Sequence, residues 1–298
     1  MRIAFFGTPP DAVPYLDAIT GAGADIVLVI SQPDRRRRRG AGSDPSPVKA
    51  AALERGLAVL TPERAGEIAD DLAAAAVDLA VVVAFGQLLP GSLLTVVPDR
   101  FVNVHYSLLP RWRGAAPVER AILAGDPETG VCLMRIEAGL DTGPVYARAA
   151  TPIDGAITAG ELRARLTDLG TALLVEHLDR LPAATPDPQT GDATHADKLT
   201  VEEFRLDPNR SAVELHRAVR AGNPRPGAWF DAPGTRVKVW TATIPERDVD
   251  VPLGTITREG LLGTAAGVLA LDTVQPAGKR PMSAAAWLAG RRGPLTVA

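Results

Sequence analysis

The chain has 298 residues, of which 46% are hydrophobic and 22% are charged, and its formal net charge is −3. That composition supports a buried core in one or two domains and excludes a chain that is disordered overall. The single cysteine, Cys132, excludes an intramolecular disulfide. The longest apolar stretch falls well short of the roughly 20 residues of a membrane span, and no signal-peptide core follows Met1. We expect a cytoplasmic monomer with no membrane partner.

The charge is divided unevenly along the chain. Residues 1–203 contain 19 Lys and Arg and 27 Asp and Glu, a net charge of −8, whereas residues 204–298 contain 13 and 8, a net charge of +5. A basic excess confined to one part of a chain indicates a polyanionic partner for that part. Uneven surface charge without a partner is the alternative.

The first half of the chain alternates short β-rich runs with longer Ala/Leu-rich segments. Apolar runs of about five residues between amphipathic segments are typical of buried parallel strands joined by crossover helices. The runs are RIAFF, DIVLVIS, LAVLTP, DLAVVVAFG, FVNVH, GVCLMRI and VYARAATPI. They predict an open α/β sheet, and such sheets bind ligands beyond the carboxyl ends of their strands.

The second half changes character. The spacing of the leucines in residues 158–181 predicts one long amphipathic helix. The segment after it is rich in Pro, Thr, Asp and Gly, which predicts a linker. Alternating runs with turn signals such as APG, REG and AAG then predict a small antiparallel barrel or sandwich. We therefore expect a catalytic domain at 1–184, a linker at 185–203 and a β-rich domain at 204–298.

Several enzyme classes lose support because their motifs are missing. The first strand is followed by FFGTPPDAV and no GxGxxG, and the chain contains neither GxxxxGK[ST] nor GxSxG. The four histidines are scattered, and one cysteine cannot complete a zinc site. We expect no dinucleotide, no P-loop nucleotide, no serine nucleophile and no metal.

Three polar residues remain for chemistry at the predicted sheet edge. Asn103 and His105 leave the same face of FVNVH, and Asp141 follows GVCLMRI between two glycines. An amide, an imidazole and a carboxylate suit acyl transfer to an amine. Asn103 can donate to the developing oxyanion, His105 can donate or pass a proton, and Asp141 can hold charged His105 or take the proton of the amine. Each also fits a plainer role: a structural histidine, a turn cap or an ordinary loop.

These motifs resemble the folate-dependent formyltransferases. NVHYSLLPRWRGAAP (103–117) together with GLDTG (139–143) carries the likeness, and FFGTP, SQPDR, PSPVK, VVVAFGQLLP, VKVW and QPAGK extend it over nearly the full length. The resemblance implies a Rossmann-like formyltransferase domain at 1–184 and a C-terminal OB-like β-barrel at 204–298 that helps to bind initiator tRNA. It also places Asn103, His105 and Asp141 on the catalytic trio of the family.

The resemblance assigns two kinds of binding residue. The loop Ser107, Leu108, Leu109 and Pro110 would contact the formyl donor 10-formyltetrahydrofolate, with tetrahydrofolate as the product. The arginine run Arg35, Arg36, Arg37, Arg38 and Arg39, together with Lys238, would contact initiator methionyl-tRNA, whose α-amino group accepts the formyl group. A solvated charge run is the alternative for the arginines.

Three other functions stay open at this point, and one of them is a hydrolytic relative that transfers the formyl group to water. A family member acting on a small amine, either a sugar or a purine precursor, would use the same chemistry but would need neither the basic tail nor the arginine run. A non-catalytic RNA-binding protein would keep the basic tail and leave the trio without a role.

Overall fold

The computed structural model describes residues 1–36, 43–247, 249–289 and 293–297. The chain forms two compact units that interleave along the sequence. The first unit contains residues 1–114, 129–151 and 163–196, and the second unit contains residues 115–128, 152–162 and 197–298. Our expected boundaries follow chain order, whereas the second unit also includes two segments, 115–128 and 152–162, from within the predicted first domain. The boundaries at 184 and 203 stay a prediction.

The first unit is built on a seven-stranded sheet. Its strands are β1 (Arg2–Gly7), β2 (Asp25–Ile30), β5 (Val59–Leu60), β6 (Leu79–Val83), β7 (Phe101–His105), β9 (Glu128–Arg135) and β10 (Val145–Pro152). Their order across the sheet is β10-β9-β7-β6-β1-β2-β5. The five strands β7, β6, β1, β2 and β5 run parallel to one another, and β9 runs antiparallel to β7. The predicted α/β class is confirmed.

Four shorter strands form two separate pairs in this unit. Strand β3 (Arg35–Arg36) pairs antiparallel with β4 (Ser43–Asp44), and β8 (Arg113–Gly114) pairs parallel with β11 (His195–Ala196). Helices α1 (Val13–Gly21), α2 (Pro47–Glu54), α3 (Ala69–Ala74) and α4 (Gly91–Leu94) lie between the sheet strands in sequence. Every residue of β6 is buried, which explains why its sequence is a continuous apolar run and not an alternating one.

The predicted long helix is α6 (Ala159–His177). It ends four residues earlier than predicted because the chain turns after His177 and forms a 3-10 turn that contains Pro182, a residue that cannot continue an α-helix. Leu162, Leu166, Leu173 and Leu174 are buried, as the amphipathic pattern requires.

The second unit is built on a seven-stranded antiparallel sheet. Its strands are β12 (Ala228–Ala232), β13 (Thr235–Thr243), β14 (Thr255–Ile256), β15 (Leu261–Gly263), β16 (Val268–Pro276), β17 (Met282–Ser283) and β18 (Leu295–Thr296). Its helices are α5 (Pro117–Ala124), α7 (Ala212–Gly222) and α8 (Ala284–Leu288). The predicted turns APG, REG and AAG fall at the connections β12–β13, β14–β15 and β15–β16. Helix α7 begins with a capping box in which Ser211 and Glu214 satisfy each other's backbone N–H groups.

Candidate active site

Strand β7 presents Asn103 and His105 at its carboxyl end. His105 is 5% exposed and Asn103 is partly exposed. Their spacing of two residues puts both side chains on one face of the strand. Among the described residues, the amide of Asn103 has no hydrogen-bond partner. A partly exposed amide whose donors have no partner among the described residues is available to an incoming carbonyl oxygen.

Both ring nitrogens of His105 face polar atoms. Nε2 lies 2.9 Å from the carbonyl oxygen of Trp112. Because a carbonyl oxygen only accepts, Nε2 is the nitrogen that carries hydrogen in this pair. Nδ1 lies 3.7 Å from Oδ2 of Asp141. In the neutral ring Nδ1 is therefore the unprotonated atom, and it is the nitrogen that faces the Asp141 carboxylate.

The carboxylate of Asp141 is held by the backbone of a different segment. The N–H group of Gly114 donates to Oδ2 of Asp141 at 2.8 Å, and the Asp141 side chain is 14% exposed. Asp141 itself has φ 51°, in the left-handed region that a non-glycine residue rarely adopts. The loop between the two glycines thus brings the Asp141 carboxylate within 3.7 Å of His105, and the catalytic roles of Asn103, His105 and Asp141 stay a prediction.

Gly114 is required where it stands. Its φ is 124°, and a Cβ atom there would lie 2.7 Å from the carbonyl oxygen of Ala196. The close approach results from the pairing of β8 with β11. A side chain at this position would push apart the segment that anchors Asp141.

The predicted folate loop is partly turned inward. Ser107 is fully buried, and its hydroxyl donates to the carbonyl oxygen of Arg111 at 2.6 Å. Leu109 is buried in an apolar cluster with Cys132, Met134 and Val145. The side chains of Leu108 and Pro110 remain partly exposed. Of the four residues, these two are the ones that offer side-chain surface, and the folate role of the loop stays a prediction.

The predicted tRNA residues are described only in part. The backbones of Arg35 and Arg36 form β3, whereas Arg37, Arg38 and Arg39 lie outside the described residues. Lys238 is half-buried, and its ammonium group donates to the carbonyl oxygen of Pro226 at 2.8 Å and lies 5.4 Å from the ring centroid of Trp240. The tRNA role of all six residues stays a prediction.

Two residues that hold this site were not predicted, because they lie in the segment that reads as a linker. Gln189 donates to the carbonyl oxygens of Asp141 and Gly143 at 2.8 and 2.7 Å. Thr194 accepts from the N–H group of Trp112 at 2.9 Å. A backbone bridge between Val145 and Asp187 ties the same segment to β10. The Pro- and Gly-rich composition excluded a helix there but carried no signal for these contacts.

A tyrosine pair lies behind the strand end. The hydroxyl of Tyr106 is 2.8 Å from that of Thr167 and 3.2 Å from that of Tyr15. Burial raises the pKa of both tyrosines, with the hydrogen bonds to Thr167 and Tyr15 acting in the opposite sense on Tyr106. Both phenols therefore stay neutral at physiological pH and serve as packing and hydrogen-bonding groups next to His105.

A separate open cavity of about 430 Å³ follows β5 and β6. It is lined by Glu63, Arg64, Ala65, Gly66, Gln87, Leu88 and Pro90, and none of the predicted catalytic residues lines it.

Across the described part of the chain, no group of three or more His, Cys, Asp or Glu side chains is arranged to hold a metal ion. Within the same ranges, each helix is too short or too polar to cross a bilayer.

Two family models match the chain. The formyl transferase model matches residues 1–178, and the model of the formyl transferase C-terminal domain matches residues 198–292.

Individual relatives agree over nearly the whole chain. It is 49% identical to the methionyl-tRNA formyltransferase of Thermus thermophilus, over 97% of this chain and 96% of that one. It is also 49% identical to that of Halorhodospira halophila, over 98% and 96%. The solved structure of WlaRD, a sugar 3N-formyl transferase in the presence of dTDP and 5-N-formyl-THF, superposes with a TM-score of 0.69. At 18% identity, covering 94% of this chain and 99% of that one, it supports the fold alone. From its sequence and its two matched domains, the chain belongs to the formyl transferase family.

Proposed function

We propose that the protein transfers a formyl group from 10-formyltetrahydrofolate to the α-amino group of methionine on initiator methionyl-tRNA. The observation that carries the chemistry is the 3.7 Å approach of His105 Nδ1 to Asp141 Oδ2 on the strand edge that also presents Asn103. The acceptor is supported by the 49% identity to methionyl-tRNA formyltransferases over nearly the full length. The protein would act in the cytoplasm as a monomer.

Asn103 acts on the carbonyl oxygen. Its amide has donors with no partner among the described residues, so a formyl oxygen can take them without displacing a protein group. The folate supplies the formyl group when it is bound. As the amine of methionine attacks, negative charge collects on that oxygen, and an amide donor at that position lowers the barrier. A donor of this kind is worth about 10²–10³ in rate.

His105 acts through Nδ1, because Nε2 is engaged with Trp112. A proton on Nδ1 can be donated to the carbonyl oxygen and then passed to the folate nitrogen that leaves when its bond to the formyl carbon breaks. Asp141 stabilises the charged ring during this step. It also receives, through water, the proton that the attacking amine releases, and the return of that proton to Nδ1 of His105 restores both side chains for the next turnover.

The test is formyl transfer from 10-formyltetrahydrofolate to four acceptors under the same conditions. These are methionine-charged initiator tRNA, methionine-charged elongator tRNA, a nucleotide-linked amino sugar and glycinamide ribonucleotide. We expect transfer to the initiator tRNA to exceed the others by at least about a hundredfold in kcat/KM. Equal or greater transfer to a small amine would move the protein to another branch of the family.

Variant His105→Ala serves as the control for a non-catalytic RNA-binding role. A protein that only binds RNA retains its function in this variant, whereas the proposed enzyme keeps tRNA affinity and loses transfer.

A further inference from the structure

We propose that Gln189 is a positioning residue for catalysis, which clamps the Asp141 loop to the segment that holds His105. The inference rests on the proposed function for its kinetic consequences and on the structure for its geometry. Gln189 lies 84 residues after His105 and 48 after Asp141 in the chain. All of the groups involved belong to the first unit.

The amide nitrogen of the Gln189 side chain holds the loop that carries Asp141, residues 139–143, which we call the acid loop. This nitrogen donates one hydrogen to the carbonyl oxygen of Asp141 at 2.8 Å and one to that of Gly143 at 2.7 Å. The two acceptors flank Thr142, so both amide hydrogens are used to fix the same turn. No other side-chain type offers two donors on one neutral nitrogen in this way except asparagine, which is one methylene shorter.

The other end holds the segment next to His105. The amide oxygen of Gln189 accepts from Nε and Nη2 of Arg113 at 3.0 and 2.7 Å. Carbonyl groups only accept and a guanidinium only donates, so the orientation of the Gln189 amide is determined by its partners.

Arg113 stands between the two backbone groups on which the site depends. The residue before it, Trp112, provides the carbonyl oxygen that accepts from His105 Nε2. The residue after it, Gly114, provides the N–H group that donates to Asp141. Through Arg113, Gln189 therefore connects the backbone segment that holds both His105 and Asp141 to the loop that carries Asp141.

Both connected segments carry backbone strain. Asp141 has φ 51° and Trp112 has φ 62°, and neither residue is a glycine. Such conformations persist only where surrounding contacts determine them. Without the clamp, both segments can relax, and the 3.7 Å separation of Nδ1 and Oδ2 is no longer defined. A misplacement of about 1 Å in such a site costs up to about a hundredfold in rate.

The experiment compares Gln189→Met, Asp141→Asn and the double variant. Met keeps the length of the side chain and removes its hydrogen bonds. We expect Gln189→Met to lower kcat by about ten- to a hundredfold with KM for both substrates nearly unchanged. In the Asp141→Asn background the same substitution should cost less than about threefold, because Gln189 acts through Asp141. Equal losses in both backgrounds would overturn the proposal.

Gln189→Glu covers the case in which Gln189→Met does not fold. It keeps a partner for the Arg113 guanidinium but places a carboxylate oxygen against the carbonyl oxygens of Asp141 and Gly143. We expect a loss in kcat at least as large as that of Gln189→Met. Activity equal to wild type in Gln189→Glu would show that the contact with the acid loop is unimportant.

A second measurement is independent of activity. Hydrogen exchange of the Gly114 amide, followed by NMR, reports whether Asp141 still accepts from it. In Gln189→Met and Gln189→Glu we expect this exchange to accelerate about tenfold or more relative to the amide of Val82 in β6. The matched control is Gln275→Met, since Gln275 also uses both ends of its amide, with Trp240 and Lys279, in the second unit. The control should leave Gly114 exchange unchanged.

The two measurements separate the two proposals. Wild-type protein that formylates none of the four acceptors would refute the proposed function, and Gly114 exchange would still decide whether Gln189 holds Asp141. Unchanged Gly114 exchange in both Gln189 variants would refute the positioning role, whatever the wild-type activity.

Discussion

The two units place their polar side chains differently. Those of the candidate active site in the first unit are held by hydrogen bonds, whereas β12–β13 of the second unit carries an exposed cation beside an aromatic ring. In the first unit, His105, Asp141 and Gln189 bond to backbone atoms and are largely shielded from solvent. In the second unit, the guanidinium of Arg236 lies 3.5 Å from the ring centroid of the buried Trp229, and the Arg236 side chain is 50% exposed.

The difference fits the two roles that we propose, catalysis in the first unit and tRNA binding in the second. Acyl transfer requires donors and acceptors held at defined places before the reaction, and buried hydrogen bonds to the backbone provide this. Phosphate binding depends mainly on charge, so exposed cations on flexible side chains suffice. Substitutions in the first region should therefore change kcat, and substitutions in the second should change affinity and its salt dependence.

The largest expected effect belongs to His105→Ala. Loss of the proton-transfer group should lower kcat by about 10²–10⁴, with tRNA affinity retained. Single-turnover formylation and a filter-binding titration check the two halves of this expectation. If His105→Ala lowered tRNA affinity as much as activity, catalysis and tRNA binding would not be divided between the two regions.

The next effect is that of replacing Arg35 through Arg39 together by Ser. We expect tRNA affinity at low salt to fall by at least about tenfold, and the slope of log Kd against log salt to become shallower by about 1 for each phosphate group that is no longer bound. Folate binding, measured by calorimetry, should be unchanged. Unaltered formylation of initiator tRNA would show that the arginine run is only a solvated segment.

A smaller effect is expected for Lys238→Met. The ammonium already donates to Pro226, so the variant lacks one internal hydrogen bond and one cation. Affinity for tRNA should fall by a few-fold, with a decrease of about 1 in the salt slope and no change in kcat at saturation. A change confined to kcat would contradict the role that we assign to the second unit.

The smallest effect concerns Cys132, which lies opposite His105 in the register of β7 and β9. Burial raises the pKa of its thiol, so the reactive thiolate is scarcer at pH 8 than for a free cysteine. Mass spectrometry should find the native protein unlabelled by iodoacetamide at pH 8 and the denatured protein fully labelled. Rapid native labelling would mean that the strand edge under His105 opens, contrary to a rigid first-unit site.

The sequence by itself determined the local features of this protein. Runs such as LAVVV and FVNVH specified buried strands, and the period of two put Asn103 and His105 on one face. The glycines around Asp141 marked a tight loop at a strand end. Each of these signals lies within a few residues of the structure that it specifies, where periodicity and turn chemistry apply.

The tertiary structure alone decided how the site is supported. Gln189 meets Asp141 across 48 residues, and Thr194 meets Trp112 across 82. The partners in these interactions are mostly backbone carbonyl and N–H groups, which every residue except proline offers alike, so no sequence pattern marks them. The interleaving of the two units has the same origin, because chain order does not reveal which segments pack together. Composition identified residues 185–203 as irregular chain. Only the tertiary structure shows that Gln189 in this segment bonds to the loop that carries Asp141.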